Sequence, residues 1–413
     1  MKRTIITLLV ATITVPMLAQ YDGEGFYRIK NEGAAKRYIT IVNDRVDSNF
    51  KNFSVNDYKT WRAVNALTTV KDPITDPGTI LYITGNTGNL SLEGQGMKTS
   101  NLLKNYKLMA QGSQLCSEYK GTMVFMTDNY DAEIGKDATV GVGLSAIAKE
   151  AGTYASWNFI KVGNQEEYFG VIPEVKVGDK YYTTLYTCFA YQLSEGMKAY
   201  YINEHEYSDT KIAEPTAVLK ELTGKVPEAT PVIIECTSNK AVDNKLIPLK
   251  SSEAPAGVKD NEMKGIYFCY VKYSFDDKSR GESETAAAKE LKNVTEYSAS
   301  TMRVLGSVNG QLALIQATDK QLEVTNKGKY LPANKAYFPI KASEANATKN
   351  GIKLVDKSTF DAAITAIVTI ANDEKPSKHG VFTLTGIKAK ADNSTEGLST
   401  GIYIINGKKV IIK

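Results

Sequence analysis

Short runs of alternating apolar and polar residues recur along this chain, and the clearest of them lies at its end. Residues 400–413 read TGIYIINGKKVIIK, in which two alternating runs flank the pair Asn406-Gly407. Both central positions of a type I′ turn need a positive φ, which Asn and Gly tolerate best. The pattern therefore predicts a β-hairpin at the C-terminus.

The region from 21 to 165 returns three times to a short strand that opens with glycine. The openings are GFYRI at 25–29, GTILYI at 78–83 and GTMVFM at 121–126. Repeats of about 40 to 50 residues cannot bury a core singly and must share one. Three of them predict a first domain, over residues 21–165, with threefold pseudo-symmetry.

Strand patterns separated by turn residues continue through 166–345, and their spacing predicts a β-sandwich domain there. Residues 346–379 are rich in Ala, Asn, Lys and Thr and are interpreted as a linker, with Ser358 as the cap of a short helix over 360–370. Residues 380–413 form a C-terminal β segment. The predicted fold class is mainly β.

The first twenty residues have the composition of an export signal. Lys2 and Arg3 precede an apolar run over 5–15, which is shorter than the ~20 residues that a transmembrane helix needs. We therefore predict a signal peptide over 1–20, use of an export machinery and a mature chain without a transmembrane segment. The predicted location is secreted or at the outer-membrane surface, with the periplasm as the alternative.

The charge of the chain bears on nucleic-acid binding, and its four cysteines bear on disulfide formation. Fifty Lys and Arg against 46 Asp and Glu leave a net charge of +4 with no long run of one sign, which argues against nucleic-acid binding. Export permits disulfides among Cys116, Cys188, Cys236 and Cys269. Three of these lie inside apolar runs, so we favour buried thiols.

Catalytic signatures are absent from the sequence. A nucleophile elbow, a P-loop, a dinucleotide glycine fingerprint and a zinc-binding HExxH are all missing. The two histidines, His205 and His379, are far apart in sequence. We predict a non-enzymatic protein without catalytic residues, cofactor or metal ligands. The enzymatic alternative is a glycoside hydrolase with two facing carboxylates.

The first domain resembles the ricin-type β-trefoil family. The strand FYRI at 26–29 and the tryptophans Trp61 and Trp157 carry the resemblance, although Lys59 and Ala155 stand where that family has the Gln of its Gln-x-Trp signature. The resemblance implies a β-trefoil-like fold and a carbohydrate ligand that stacks on exposed aromatic rings. The candidate binding residues are Tyr38, Trp61 and Tyr82, with core packing as their alternative role.

Two further resemblances concern lineage and export. The motifs YTTLY at 182–186 and LPANKAY at 331–337 are similar to a β-sandwich module of secreted and surface proteins from Bacteroides- and Prevotella-like bacteria. Residues 380–413 resemble a type IX secretion sorting domain, with a purely structural hairpin as the alternative. We expect a secreted or cell-surface binding protein whose partner is a glycan or a surface protein; the alternative is a structural surface protein without a small ligand.

Overall fold

The computed structural model describes residues 20–33, 37–46, 59–65, 73–98, 108–119, 121–128, 142–145, 155–208, 210–267, 295–325, 328–372 and 380–412. These residues divide between two compact units. Unit 1 comprises the described parts of Met1–Ile41, Val46–Lys71 and Thr79–Lys161, and unit 2 those of Val42–Arg45, Asp72–Gly78 and Val162–Lys413. The prediction of a mainly β fold is confirmed. The predicted signal peptide lies, except for Gln20, outside the described residues.

Unit 1 is built from two antiparallel sheets. One has the order β3-β2-β1-β4-β5-β6, with β11 also paired to β1, and the other has the order β10-β9-β8-β7. The strands are β1 Gly25–Asn31, β2 Arg37–Val46, β3 Lys59–Asn65, β4 Leu81–Asn86, β5 Asn89–Gly94, β6 Met97–Lys98, β7 Met109–Gln111, β8 Gln114–Tyr119, β9 Thr122–Asp128, β10 Val142–Ser145 and β11 Trp157–Val162.

Strand β1 is the centre of the larger sheet. Its first half pairs with β4, where Phe26 lies opposite Tyr82, and its end pairs with β2, where Lys30 lies opposite Tyr38. Because β11 pairs with β1 as well, the first and last strands of the unit are neighbours. Such closure is what a trefoil requires, but the threefold symmetry itself stays a prediction.

Both faces of β1 are buried. Tyr27 and Ile29 point to one side and are almost fully enclosed, while Arg28 on the other side is only 2% exposed. The Arg28 Nε donates a hydrogen bond to Thr79 Oγ1 at 3.4 Å, which gives the buried guanidinium a polar partner. Strand β1 therefore has buried apolar side chains on one face and a buried polar hydrogen bond on the other.

The three glycine-opened segments do not begin alike. Strand β1 starts at Gly25 and β9 starts directly after Gly121, as the pattern predicts. In the second segment, a 3-10 helix covers Pro77–Thr79 and β4 begins only at Leu81. The Asp76 carboxylate accepts a hydrogen bond from the Gly78 N–H at 2.9 Å, and this local turn replaces the first part of the expected strand.

Trp157 at the start of β11 is a core residue. Its side chain is 0% exposed, and its indole Nε1 donates to the Met126 carbonyl at 3.0 Å. The backbone N–H of the same residue donates to the Ser113 carbonyl at 2.7 Å. A fully enclosed indole with a satisfied N–H cannot serve as a stacking platform, so this tryptophan holds the fold of unit 1.

Unit 2 contains most of the strands. They are β12 Phe169–Gly170, β13 Val175–Val177, β14 Lys180–Leu185, β15 Ala190–Leu193, β16 Lys198–Glu206, β17 Thr216–Leu222, β18 Lys225–Val226, β19 Val232–Cys236, β20 Lys245–Leu249, β21 Lys264–Gly265, β22 Met302–Val308, β23 Gln311–Ile315, β24 Glu323–Thr325, β25 Gly328–Tyr330, β26 Ala336–Pro339, β27 Ile352–Val355, β28 Val381–Thr383, β29 Lys388–Lys390, β30 Gly401–Ile405 and β31 Lys408–Ile412.

The largest sheet of unit 2 has ten strands in the order β13-β14-β19-β16-β17-β27-β23-β22-β26-β21. Strand β13 also contacts β22, and β14 contacts β26, so the sheet curls back on itself. Its core contains Ile202, Ile233, Leu314, Phe338 and Ile352. A second sheet has the order β12-β20-β15-β18, and β24 and β25 form a separate pair.

Residues 352–372, interpreted above as part of a linker, belong to the body of unit 2. Strand β27 inserts between β17, to which it is parallel, and β23, to which it is antiparallel. Helix α1, Lys357–Asn372, follows and buries Phe360 against Ile212 and Val218. A strand with neighbours on both sides and a helix with a buried face exclude a linker over this stretch.

The cap of α1 is Asp356 rather than Ser358. The Asp356 carboxylate accepts hydrogen bonds from the Thr359 N–H at 2.8 Å and from the Ser358 hydroxyl at 2.6 Å. These bonds, led by the one from Ser358, lower the pKa of Asp356 to about 2. An ionised carboxylate is a stronger acceptor than a hydroxyl at this position, so the aspartate two residues before the predicted cap takes its place.

The C-terminal hairpin is confirmed. Strands β30 and β31 pair antiparallel with Ile405 opposite Lys408, and Asn406 and Gly407 have φ values of 54° and 72°. Strand β28 pairs with β30 and β29 pairs with β28, so the hairpin is half of a four-stranded sheet with the order β29-β28-β30-β31. Val381 and Tyr403 lie in its small core.

Arg303 on β22 fastens the segment that leads to β27. Its side chain is 0% exposed, and burial lowers its pKa. The guanidinium donates to the carbonyls of Ala299, Met302, Ala345 and Thr348 and to the Thr348 hydroxyl, at 2.6 to 3.2 Å. All five donors are used, because a buried charge is tolerated only when it is fully hydrogen-bonded.

We expect Arg303→Met to destabilise unit 2 by about 3 kcal/mol or more, because the substitution leaves several buried carbonyl oxygens without their donor. Urea unfolding followed by far-UV circular dichroism measures the change. Lys349→Met, at an exposed position in the fastened segment, is the control and should change stability little. Equal stability of the two variants would show that the guanidinium contacts contribute nothing.

Candidate functional site

The best-defined surface group in unit 1 surrounds the start of β1. Tyr82 on β4 is half-buried and lies opposite Phe26, with ring centroids 4.8 Å apart and an interplanar angle of 41°. On the next strand, Glu93 lies opposite Tyr82. We call Tyr21, Glu24, Phe26, Tyr82 and Glu93 the aromatic–carboxylate cluster.

Glu24 places a carboxylate directly on the Tyr82 phenol. The Tyr82 hydroxyl donates a hydrogen bond to Glu24 Oε1, and Glu24 itself is exposed. Since Glu24 stands two residues before Phe26, the ring that packs on Tyr82 and the carboxylate that binds its hydroxyl come from one short segment. The sequence around the start of β1 thus fixes both the position and the direction of the phenol.

Tyr21 supplies a second aromatic ring. Its hydroxyl donates to the Gly85 carbonyl at 3.0 Å, and its ring centroid lies 5.8 Å from that of Tyr27 and 6.4 Å from that of Phe159. Gly85 has a φ of 92°, and a Cβ there would lie 2.1 Å from the Asn89 carbonyl oxygen. The turn that accepts the Tyr21 hydrogen bond therefore requires glycine.

Lys161 holds the segment before β1 from the other side. Its Nζ donates to the Asp22 carbonyl at 3.3 Å and lies 5.8 Å from the ring centroid of Tyr27. The Tyr27 hydroxyl donates to the Gly23 carbonyl at 2.7 Å. Three contacts thus order the backbone that carries Glu24, although the lysine and the carboxylate are exposed.

Electrostatics keep both phenols of the cluster protonated. Burial raises the pKa of Tyr82 to about 12, with further contributions from the hydrogen bond to Glu24 and from its charge. Burial, followed by the charge of Glu24, also raises the pKa of Tyr21. At neutral pH both phenols of the cluster therefore remain hydrogen-bond donors, and the Glu24 carboxylate accepts the hydrogen bond from Tyr82.

Two of the three predicted binding residues, Tyr38 and Tyr82, do not lie side by side. Tyr38 is half-buried on β2, and the Lys30 Nζ lies 5.9 Å from its ring centroid. Because Tyr38 and Tyr82 face positions four residues apart on β1, they lie roughly 13 Å from each other along the strand. Trp61 is on β3 opposite Ile41, and its side chain lies outside the described residues.

Sequence reasoning missed Tyr21, Glu24 and Glu93. Tyr21 directly follows the predicted leader, and the two glutamates have no motif around them. Only the pairing of β1, β4 and β5 brings the glutamates to Tyr82. The one signal in the sequence is that the polar Glu24 stands two residues before Phe26, directly ahead of an apolar strand pattern.

His205 and the two glutamates beside it on β16 take part in structural contacts. Glu204 pairs with Lys357 at 2.9 Å and Glu206 with Lys211 at 3.1 Å, so each carboxylate is bound by its own lysine. His205 Nδ1 lies 2.6 Å from Glu262 Oε2. His379 and Cys269 lie outside the described residues.

Cys116 and Cys236 are buried thiols, and burial raises the pKa of Cys116 as well as that of Cys236, which reaches about 12. A thiol with a raised pKa is a poor nucleophile.

Among the described residues, no three His, Cys, Asp or Glu side chains meet in a group that could hold a metal ion. In the same part of the chain, no helix combines the length and apolar character needed to cross a membrane.

Comparison of the sequence with protein-family models gives no match, and a search of curated proteins finds no similar chain.

The Tyr82 phenol should be the source of a late step in the alkaline titration. We expect the difference in absorbance at 295 nm between the unsubstituted protein and Tyr82→Phe to show one phenol with a midpoint near pH 12. Because the folded-state pKa exceeds the unfolded value of about 10, the stability linked to this phenol is complete below pH 10 and is lost between pH 10 and 12.

Glu24→Gln is the matched variant for this titration. It removes the charge and keeps an acceptor, so the midpoint should fall only part of the way, since burial is the largest cause of the shift. A Tyr82 midpoint near pH 10 in the unsubstituted protein would contradict the described contact.

Proposed function

We propose that this protein is a secreted or cell-surface, non-enzymatic binding protein and that the aromatic–carboxylate cluster of unit 1 is a carbohydrate-contacting surface. The observation that carries the proposal is the Tyr82 phenol, which is half-buried, protonated and hydrogen-bonded to the exposed carboxylate of Glu24. A second ring, Tyr21, lies on the same side of the unit and interacts electrostatically with both groups.

The chemistry of a sugar suits such a surface. A pyranose presents an apolar C–H face, which stacks on aromatic rings, and a rim of hydroxyls, which bind carboxylates and phenols. Tyr82 and Tyr21 are held by Phe26, Tyr27 and Phe159, so their rings lose little freedom when a ligand binds. Glu24 supplies an acceptor that is already in place.

A β-trefoil-like fold of unit 1 and export of the chain would both agree with the proposed binding role. The pairing of first and last strands in unit 1 and the resemblance to ricin-type repeats support a β-trefoil-like module. The leader-like residues 1–20 and the four-stranded C-terminal sheet support export, with type IX sorting as the proposed route. The partner is a glycan or a glycan-bearing surface protein of the cell or its surroundings.

A glycan array probed with the labelled exported chain tests the proposal. We expect binding to a subset of glycans, and the hits are then titrated by isothermal calorimetry. Tyr82→Ala should weaken binding about tenfold, equivalent to roughly 1.4 kcal/mol, because it removes both the ring and the phenol. Tyr82→Phe retains the ring and should weaken binding less.

The matched control is Tyr181→Ala in unit 2. Tyr181 is also a half-buried strand tyrosine, with the Lys176 Nζ 5.4 Å from its ring centroid, and its loss should leave glycan affinity unchanged. Hits that respond equally to both tyrosine substitutions would place the binding surface elsewhere. An array without hits would refute the carbohydrate proposal and favour a structural surface protein.

A further inference from the structure

Unit 2 contains a polar cleft that is separate from the aromatic–carboxylate cluster. Its volume is about 410 Å³, within the range of about 300–1,000 Å³ that is usual for small-molecule sites. It lies where β15 ends and β20 begins. The polar residues that line it are Gln165, Gln192, Ser194, Glu195, Asp243 and Lys245.

The floor of the cleft is fixed by the pairing of two strands. Gln192 on β15 lies opposite Ile247 on β20, so both side chains point to the same face. The Ser194 N–H and hydroxyl both donate to the Lys245 carbonyl, at 3.1 and 2.7 Å. These hydrogen bonds extend the contact between the two strands by one residue beyond Leu193. They also fix the backbone next to Glu195, which lies at the rim of the cleft.

One wall is a tight loop that ends at Tyr168. The Asn164 Oδ1 accepts hydrogen bonds from the N–H groups of Glu166 at 2.8 Å and Glu167 at 2.7 Å. The Lys245 ammonium donates to the Gln165 carbonyl at 2.7 Å and lies 4.5 Å from the ring centroid of Tyr168. Lys245 thus ties the loop to β20.

The opposite wall is fixed by Asn244, which is 0% exposed. Its Nδ2 donates to the carbonyls of Val171, Ser238 and Lys240, and its Oδ1 accepts from the backbone N–H groups of Thr237 and Ser238 and from the Thr237 hydroxyl. The neighbouring Asp243 Oδ2 accepts from the Ser238 hydroxyl at 2.8 Å. The cleft therefore exists before any ligand arrives.

Binding capacity remains on the side chains that face the cleft. Among the described residues, Glu195 makes no ion pair, and Asp243 has one carboxylate oxygen without a hydrogen bond. Gln165 and Gln192 add amide donors and acceptors, and Lys245 is already engaged by the wall. The lining therefore combines two carboxylates, the ammonium of Lys245 and neutral amides, and its net charge of −1 favours a ligand with one cationic group that also carries hydroxyls.

We propose that this cleft binds a small amino sugar in its ammonium form. The ammonium group would bind between Glu195 and Asp243, and the sugar hydroxyls would bind the amides of Gln165 and Gln192. The site does not depend on the aromatic–carboxylate cluster, because every residue that forms it belongs to unit 2.

Isothermal calorimetry of the exported chain at pH 6 tests the proposal with three probes: D-glucosamine, D-glucose and N-acetyl-D-glucosamine. We expect millimolar binding of glucosamine and at least tenfold weaker binding of the other two, because they lack the charged amine. Equal affinity for glucosamine and glucose would overturn the proposal, and so would the absence of any glucosamine binding.

Glu195→Gln and Asp243→Asn should each weaken glucosamine binding about tenfold. Glu166→Gln, a charge removal in the wall loop outside the lining, should leave the affinity unchanged. Thermal unfolding of each variant by circular dichroism separates loss of the site from loss of the fold. Folded variants of Glu195 and Asp243 that retain full affinity would show that the carboxylates are not the ligand-binding groups.

Discussion

Strand β1 is the constraint on which unit 1 depends. It pairs with β2, β4 and β11, and side chains on both of its faces are buried. A strand in this position cannot shift its register by one residue without exchanging the apolar Tyr27 and Ile29 for the guanidinium of Arg28. The same fixed register brings Phe26 opposite Tyr82 and leaves Glu24 just outside the sheet, so the candidate site is a direct consequence of how the sheet is assembled.

Unit 2 is stabilised at its periphery by buried polar side chains whose hydrogen bonds are satisfied. Arg303 fastens the residues before β27, and Asn244 fastens the turn before β20. In each case one buried side chain forms hydrogen bonds with several backbone groups of an irregular segment. Such devices hold irregular segments rigid, because an opened segment would leave buried donors or acceptors without partners.

Local patterns predicted much of the fold, and long-range pairing determined the rest. Asn406-Gly407 specified its hairpin because turn chemistry acts within four residues. The strand β27 was not predicted, because its two neighbours, β17 and β23, are distant in sequence. Asp356 displaced Ser358 as the cap because carboxylate and hydroxyl compete for the same N–H groups, and pattern alone does not rank them.

The candidate site shows the same division. Tyr82 was identified as an aromatic residue on a predicted strand, but its partners Glu24 and Glu93 come from two other segments, and cross-strand register alone connects them. Tyr38 and Tyr82 are both candidates in the sequence because each offers an aromatic ring on which a sugar could stack. The structure separates them along β1, so residue type predicted candidates, while geometry was needed to define the site.

The direction of the pKa shifts is in keeping with the binding role proposed for this protein. Tyr82 and Cys236 both shift to about 12, and Asp356 shifts to about 2. General acid–base catalysis at neutral pH needs groups whose pKa lies near 7, and each of these shifts moves a group further from that value. A phenol with a pKa of about 12 remains a hydrogen-bond donor at neutral pH, and the Glu24 carboxylate beside Tyr82 accepts its hydrogen bond. Fixed donors and acceptors beside aromatic rings discriminate between ligands by shape and hydroxyl pattern, which is the task of a binding surface.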